Sequence, residues 1–370
     1  MDVACFGLRS QGLPYHSFLK NFMKVLYIGL RYDYMNPNQG FSLEHYNFYD
    51  TLRRMDNVDV RYFPYERILE VGRDQMNVEI KKLVQKEKPD ILFAVMFTDQ
   101  LKKEAIKDIS ENTKTKTVAW FCDDQWRFDN YSKQYASFFN LIATTDPASV
   151  EKYHRAGQKN VFQTQWACNH FLYKPIKTSR IYDVTFVGQP HGQRKKFIDK
   201  LKKSGVSVYC WGRGWPNGRI SQEEMIRIFS QSKINLNFIK VSSSLTAKSF
   251  AGAFLKKKEG HLRFHKPQDI PSNLKNILSP RDQIKTRNFE IPGCGGFLLT
   301  EYAEGLENFY EIGKEVACFT GPGELVETVQ FYLEHDEERE RMAVAGYERT
   351  IRDHTYEIRF RQIFDFAENI

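Results

Sequence analysis

The chain has 370 residues, 41% hydrophobic and 27% charged, enough for two ordinary domains. Its longest apolar run, Ile91 to Phe97, is seven residues, where a membrane-crossing helix needs roughly 18. Lys and Arg outnumber Asp and Glu by 54 to 46, a net charge of +8, and six dispersed cysteines (Cys5, Cys122, Cys168, Cys210, Cys294, Cys318) form no Cys-x-x-Cys pair, which excludes a disulfide framework and a zinc ribbon.

In chain order, residues 1–22 show no period and lack the basic stretch and apolar core of an export signal. They are read as an appendage, and the protein is expected in the cytoplasm. Met23 to Gly29 reads as the first buried strand. Strands at Val58–Tyr62, Asp90–Val95, Thr117–Phe121 and Leu141–Thr144 then alternate with helices at about Asp74–Lys86 and Asp99–Ser110, and with one capped by Asp146 that runs to His154. Pro175 marks a linker over 173–180. The alternation restarts with the strand Asp183–Val187, closed by Gly188, and a basic helix from Arg194 to Lys203. The strand Val206–Cys210, a helix capped by Ser221 with Glu224 completing the capping box, and the strand Ile234–Phe238 follow. Strands at Gly296–Thr300 and Glu315–Phe319 come next, then two helices between Glu324 and Thr350 and a last helix over about Tyr356–Ala367.

Short apolar β-rich runs separated by helices predict parallel sheets covered on both faces. The fold class is therefore α/β, with two Rossmann-like, doubly wound domains over 23–172 and 181–350 and a closing helix in 351–370. Ligands in such folds sit at the carboxyl ends of the strands, so the expected site is a cleft between the domains.

The charge excess is local. From Lys240 to Lys285 ten basic residues face three acids (Glu259, Asp269, Asp282), a net of +7. The 240–285 stretch reads as a basic insertion suited to a phosphate-bearing ligand or an anionic surface. Its few aromatics, Phe250, Phe254 and Phe264, offer little stacking for single-stranded nucleic acid, which is not an expected partner. His261 and His265 lack a third ligand, and Asp-x-Asp does not occur, so no metal site is read from the chain.

The most informative segment runs from Asp282 to Thr300. Pro292 places Glu290 near the start of a short helix, and Gly293, Gly295 and Gly296 end it and allow close backbone approach. Lys285 and Arg287 flank the helix start, whose N–H groups suit a diphosphate. A carboxylate there suits sugar hydroxyls.

This segment, Glu315 to Glu324, and the ending Arg352-Asp353-His354-Thr355-Tyr356 with Arg359 resemble the group 1 glycosyltransferases of GT-B fold, in the branch of the spore-maturation protein CgeB. Trp120-Phe121-Cys122-Asp123-Asp124 and Trp126-Arg127-Phe128 look like that branch too. The resemblance implies a nucleoside diphosphate sugar as co-substrate, no cofactor, and an acceptor that the sequence leaves open, an anionic one among the options. It implies that Glu290 is the second acid of a Glu-x7-Glu motif and holds the donor ribose, with Asp282 in the first position. Gly188 and Arg194 or Lys195 match the glycine turn and cation used on the donor phosphates. Cys122-Asp123 stands where many members carry His-Asp. The expected reaction is metal-independent and retaining, a donor phosphate oxygen taking the acceptor proton; an inverting course would need a base, for which Asp124, Asp123 and His45 are candidates. The alternatives are a nucleotide-sugar epimerase of the same fold and a non-catalytic binder of an anionic polymer.

Overall fold

The computed structural model describes residues 22–239 and 283–370, together with 251, 254–258, 261–265, 267, 270, 271 and 274. Asp282, most of the basic insertion and all of the N-terminal appendage except residue 22 lie outside the described residues.

The first half is a six-stranded, all-parallel sheet in the order β2-β1-β3-β4-β5-β6, from β1 (Met23–Gly29), β2 (Val58–Pro64), β3 (Ile91–Val95), β4 (Lys116–Phe121), β5 (Leu141–Thr144) and β6 (Val161–Gln163). Side chains alternate between its two faces with period two. Val25, Tyr27, Phe93, Val95, Val118 and Trp120 enter one core cluster, and Leu26, Ile28, Leu92, Ala94, Ala119 and Phe121 enter the other. Burial on both faces explains why these strands read as unbroken apolar runs. The crossovers include α1 (Asp50–Leu52), which continues a π-helical turn at His45–Tyr49, then α2 (Arg67–Glu87), α3 (Lys103–Asn112), α4 (Asp124–Arg127) and α5 (Pro147–Arg155). The second helix starts seven residues before the expected Asp74, because Gly72 (φ +76°) adds a kinked first turn. Asp146 occupies the N-cap of α5 but accepts the Ser149 hydroxyl instead of a backbone N–H.

The second half is a five-stranded parallel sheet, β13-β12-β9-β7-β8. Its strands are β7 (Tyr182–Val187), β8 (Val208–Trp211), β9 (Ser232–Asn237), β12 (Leu298–Glu301) and β13 (Ala317–Phe319). Between β9 and β12 lies an antiparallel pair, β10 (Leu255–Lys258) and β11 (His261–Phe264). The helices are α6 (Arg194–Lys203), α7 (Gln222–Gln231), α8 (Arg287–Gly293), α9 (Pro322–Glu334), α10 (Asp336–Asp353) and α11 (Tyr356–Glu368). Ser221 caps α7 through the Glu224 N–H at 3.1 Å.

Two segments cross between the halves. One follows β6 and carries buried Trp166, Cys168 and Tyr173. The other leads into α11, which returns to the first sheet and packs Phe360 and Phe364 edge-to-face against Phe93, with ring centroids 5.5 and 5.7 Å apart. The crossings pair with each other: Cys168 N–H donates to His354 O (2.9 Å) and Tyr356 N–H to Cys168 O (3.0 Å).

Candidate active site

The loops that follow the strands' carboxyl ends meet across the gap between the halves. Arg219, after β8, pairs with Asp33, after β1, at 2.8 Å, and Arg213 reaches Gln39. Gln283 donates to Cys122 O at 3.0 Å and also hydrogen-bonds the Asp123 carboxylate. Asp123 and Cys122 follow β4, so the crevice is lined from both sheets as the architecture requires.

On its C-terminal side lies Lys285, within electrostatic reach of Asp123 on the other wall. A buried polar network fixes the turn that carries it. Asn237 donates to Asn288 Oδ1 at 3.0 Å, the Lys285 N–H donates to the same oxygen at 3.1 Å, and Asn288 donates to Thr300 Oγ1 at 3.2 Å. Burial and the neighbouring Arg194 push the Lys285 ammonium down to about 8, against the opposing pull of Glu301 and Asp123. Arg194 opens α6 and spends its guanidinium on Gln189 O and Phe238 O, both at 3.0 Å; burial lowers its affinity for its proton. Lys195 and Lys196 follow in the same first turn and are exposed. Three cations at a helix start oppose the helix dipole, and no acidic residue stands in that turn. The arrangement is one that a bound anion would relieve.

The opposite wall carries carboxylates. Asp123 is partly exposed, and burial raises its pKa against the lowering effect of Arg127, Gln283, Trp126 and Lys285. Glu44, at the start of the helical turn after β1, is raised in the same way by burial, with Asp33 and Asp123 adding to the effect. Asp124, by contrast, is 1% exposed and turned into its own domain. It accepts from Thr144 at 2.6 Å and Tyr153 at 2.8 Å, and burial pushes it up to about 6. His45 lies in an aromatic nest, 4.1 Å from the Phe41 ring and 5.3 Å from that of Tyr49. Burial and Arg31 push it down to about 4. Of the three base candidates, Asp123 is the one brought against the C-terminal residues.

Residues 193–365 match a family described as glycosyl transferase-like. Over 240 residues the chain is 22% identical to the spore protein CgeB of Bacillus subtilis (strain 168), covering 64% of this chain and 71% of CgeB. Over these residues the chain is similar to group 1 glycosyltransferases near CgeB. Among solved structures, the sucrose-phosphate synthase of Thermosynechococcus elongatus has a TM-score of 0.59 at 9% identity, over 94% of this chain and 99% of its own. A glycosyltransferase of Rickettsia africae ESF-5 has 0.58 at 8%, over 94% and 98%. HepE of Anabaena, solved with UDP and with UDP-glucose, has 0.55 at 12%, over 94% and 99%. At such identities the likeness is one of fold, and the fold is GT-B.

The motif residues are not all at the cleft. Glu290 is 0% exposed. Its carboxylate accepts from Tyr173 Oη (2.7 Å) and Asn47 Nδ2 (3.1 Å) and pairs with Arg287. It thus ties the crossing segment and the N-terminal half to α8, and a ribose could reach it only by displacing Asn47 and Tyr173. Pro292 falls in the second turn of α8, not the first. The helix start is also occupied: the N–H groups of Phe289 and Glu290 donate to Thr286 O at 2.9 Å, and that of Asn288 to Lys285 O at 3.0 Å.

The glycine trio packs against the body of the protein. A Cβ on Gly293 would stand 2.3 Å from Cys168 Sγ, one on Gly295 3.2 Å from Pro175, and one on Gly296 2.8 Å from Asn235. The close approach they permit is that of the crossing segment and the neighbouring strand. Gly188 donates its N–H to Trp211 O and accepts from Trp215 Nε1, both at 2.8 Å. Gly212, at φ +129°, has no room for a Cβ because Gly188 O would stand 2.4 Å from it.

Glu301, Glu44, Asn47 and Tyr173 were not singled out from the sequence. Glu301 ends β12 and Glu44 opens the turn after the first strand, both at the carboxyl ends where α/β sheets bind ligands. Asn47 and Tyr173 carry no comparable signal. Among the described residues no group of His, Cys, Asp and Glu forms a metal cluster, and no helix is long and apolar enough to cross a membrane.

Proposed function

We propose that this glycosyltransferase moves a sugar from a nucleoside diphosphate donor to an acceptor held against the N-terminal wall, with the donor's diphosphate between Lys285 and the start of α6. One observation carries the reading. Lys285 and Arg194, from different elements, share a half-buried spot, and the ammonium is pushed down to about 8. Two cations held together in a low-dielectric crevice gain from a dianion between them. HepE, which has the same fold, was solved with UDP and with UDP-glucose, so a uridine diphosphate donor is the first to try.

Cleavage of the anomeric carbon–oxygen bond leaves negative charge on the diphosphate. In this reading Lys285 and the first turn of α6 meet that charge, and the chemistry needs no metal ion. We propose retention: the new bond forms on the face the diphosphate leaves, and a donor phosphate oxygen takes the acceptor proton. Asp123, facing Lys285 across the crevice, then orients a hydroxyl of the acceptor or the transferred sugar.

Calorimetric titration of UDP from pH 7 to 9 tests the donor site. Anion binding favours the charged ammonium, so affinity should hold below about pH 8 and fall above it, by up to about tenfold per pH unit. A flat profile would remove Lys285 from the donor site. Asp123→Asn should lower turnover by about 100-fold, the scale of a misplaced reactant, and leave UDP affinity unchanged; wild-type turnover would move the acceptor elsewhere.

A further inference from the structure

All five tryptophans are among the described residues, and Trp126 is the most exposed of them. It is 54% exposed, whereas Trp120, Trp166 and Trp211 are buried and Trp215 partly so. So large an apolar side chain is ordinarily well covered. Phe128, two residues on, follows that rule: it is 5% exposed and packs edge-to-face against Tyr153, with ring centroids 4.8 Å apart. Trp126 belongs to α4, which follows β4 at the carboxyl end that lines the crevice.

The exposed ring is held in place. A tryptophan side chain has one donor, the indole N–H, so its hydrogen bond to the Asp123 carboxylate fixes that edge of the ring beside the acid. The Arg127 guanidinium lies over the ring, 5.6 Å from its centroid. Arg127 is itself engaged, donating to Phe97 O at 2.6 Å and lying 4.2 Å from the centroid of the Tyr131 ring. A fixed aromatic beside a carboxylate offers a flat apolar surface and a hydrogen-bond acceptor together, at little ordering cost. The neighbouring charge is negative. Burial raises the pKa of Glu44, and Asp33 and Asp123 raise it further. A phosphate-bearing ligand would meet repulsion on this wall.

We infer that the acceptor is an uncharged carbohydrate, one of whose pyranose rings stacks on Trp126 while a hydroxyl donates to Asp123. A pyranose has the matching anatomy, since its C–H groups make a face apolar and its rim carries hydroxyls. A purely apolar acceptor would cover the indole and leave the carboxylate against hydrocarbon, which is costly. An anionic acceptor, one of the options the sequence leaves open, is disfavoured by the carboxylates. Lys285 stands within electrostatic reach of Asp123, so a hydroxyl held there faces the proposed diphosphate. The inference names the acceptor class for the transfer reading and rests on it, whereas the sugar site on Trp126 can be tested without it.

The test is fluorine NMR of the full chain labelled with fluorotryptophan, the Trp126 line being the one that Trp126→Phe removes. Methyl pyranosides of glucose, galactose, mannose and N-acetylglucosamine are added singly, with and without UDP. At least one should shift the Trp126 line saturably, and UDP should not expel it. The phosphate ester of the same sugar should bind about tenfold more weakly or worse. Saturation transfer from protein to sugar gives the affinity of variants that lack the reporter. There Trp126→Ala should lose about tenfold and Trp126→Phe less, and Asp123→Asn about tenfold. Melting curves matching wild type would show that the variants fold, as expected for a side chain more than half exposed. No shift from any of the four sugars, equal or tighter binding of the phosphate ester, undiminished binding by Trp126→Ala, or displacement of the sugar by UDP would each overturn the proposal. A wild-type chain that takes a pyranoside at Trp126 and fails to bind UDP would uphold the sugar site and strike the transfer reading alone.

Discussion

Two regions of the C-terminal half set a buried carboxylate beside a cation, and they differ in what is left over. Around Glu290 every partner is supplied by the chain: Arg287, the Tyr173 hydroxyl and the Asn47 amide. Around Glu301 two cations, Lys285 and Arg194, crowd one carboxylate, and the ammonium is held less firmly charged than normal. A satisfied cluster stabilises the fold, while a cationic excess gains from a ligand. The comparison separates a place where the halves are fastened from a place where something binds.

Lys285 is where the two regions should differ most. Lys285→Met should cut donor turnover about 100-fold to 1,000-fold, the range for removing one stabilising donor from a developing anion, with the melting temperature unchanged or raised. If turnover survives, the crevice is not the donor site.

A second effect separates the two acids after β4. Asp124 is pushed up to about 6 from an ordinary value of about 3.9, so between these values the folded chain holds a proton that the unfolded chain has released. The stability this adds is complete below about pH 4 and is lost as pH rises through 6, in all about 3 kcal/mol. Melting temperature measured from pH 4 to 7 should show this fall superimposed on other titrations, and Asp124→Asn should remove it. Identical pH profiles for variant and wild type would mean that Asp124 is not held as described.

Around Glu290 the expected changes are in stability and are modest. Tyr173→Phe and Asn47→Ala each remove one hydrogen bond to a buried carboxylate and should cost about 1–3 kcal/mol. Chemical denaturation measures this. If Glu290 only fastens the halves, UDP affinity should stay constant. Tighter UDP binding in either variant would mean that the freed carboxylate takes the ribose, as the family resemblance implies.

The alternation of strands and helices was legible because strands buried on both faces read as apolar runs. β6 was missed: it has three residues, none buried, so it lacks that signature. The glycine trio was legible as a place where a Cβ cannot fit. Nothing local distinguishes a ligand's approach from that of Cys168 and Pro175, since both make the same steric demand. Glu290 stood out by spacing, but its partners Asn47 and Tyr173 are 243 and 117 residues away in the chain, beyond the reach of periodicity. Lys285 was recognised as a cation near the phosphates. The buried asparagines that hold its turn were not, because Asn is depleted from strands such as the one that Asn237 ends, and a polar Asn288 in the first turn of a helix carries no sign of burial.

The pairing of the two crossing segments bears on how the enzyme moves. Had the halves been joined by one strand of chain, each could twist freely about it. Here Cys168 is stitched to His354 and Tyr356 by backbone bonds on either side, and α11 anchors the far end of the second crossing in the first sheet. Two tethers fastened to each other define a line, so opening and closing should be a swing about that line, bringing the same pair of walls face to face at every turnover.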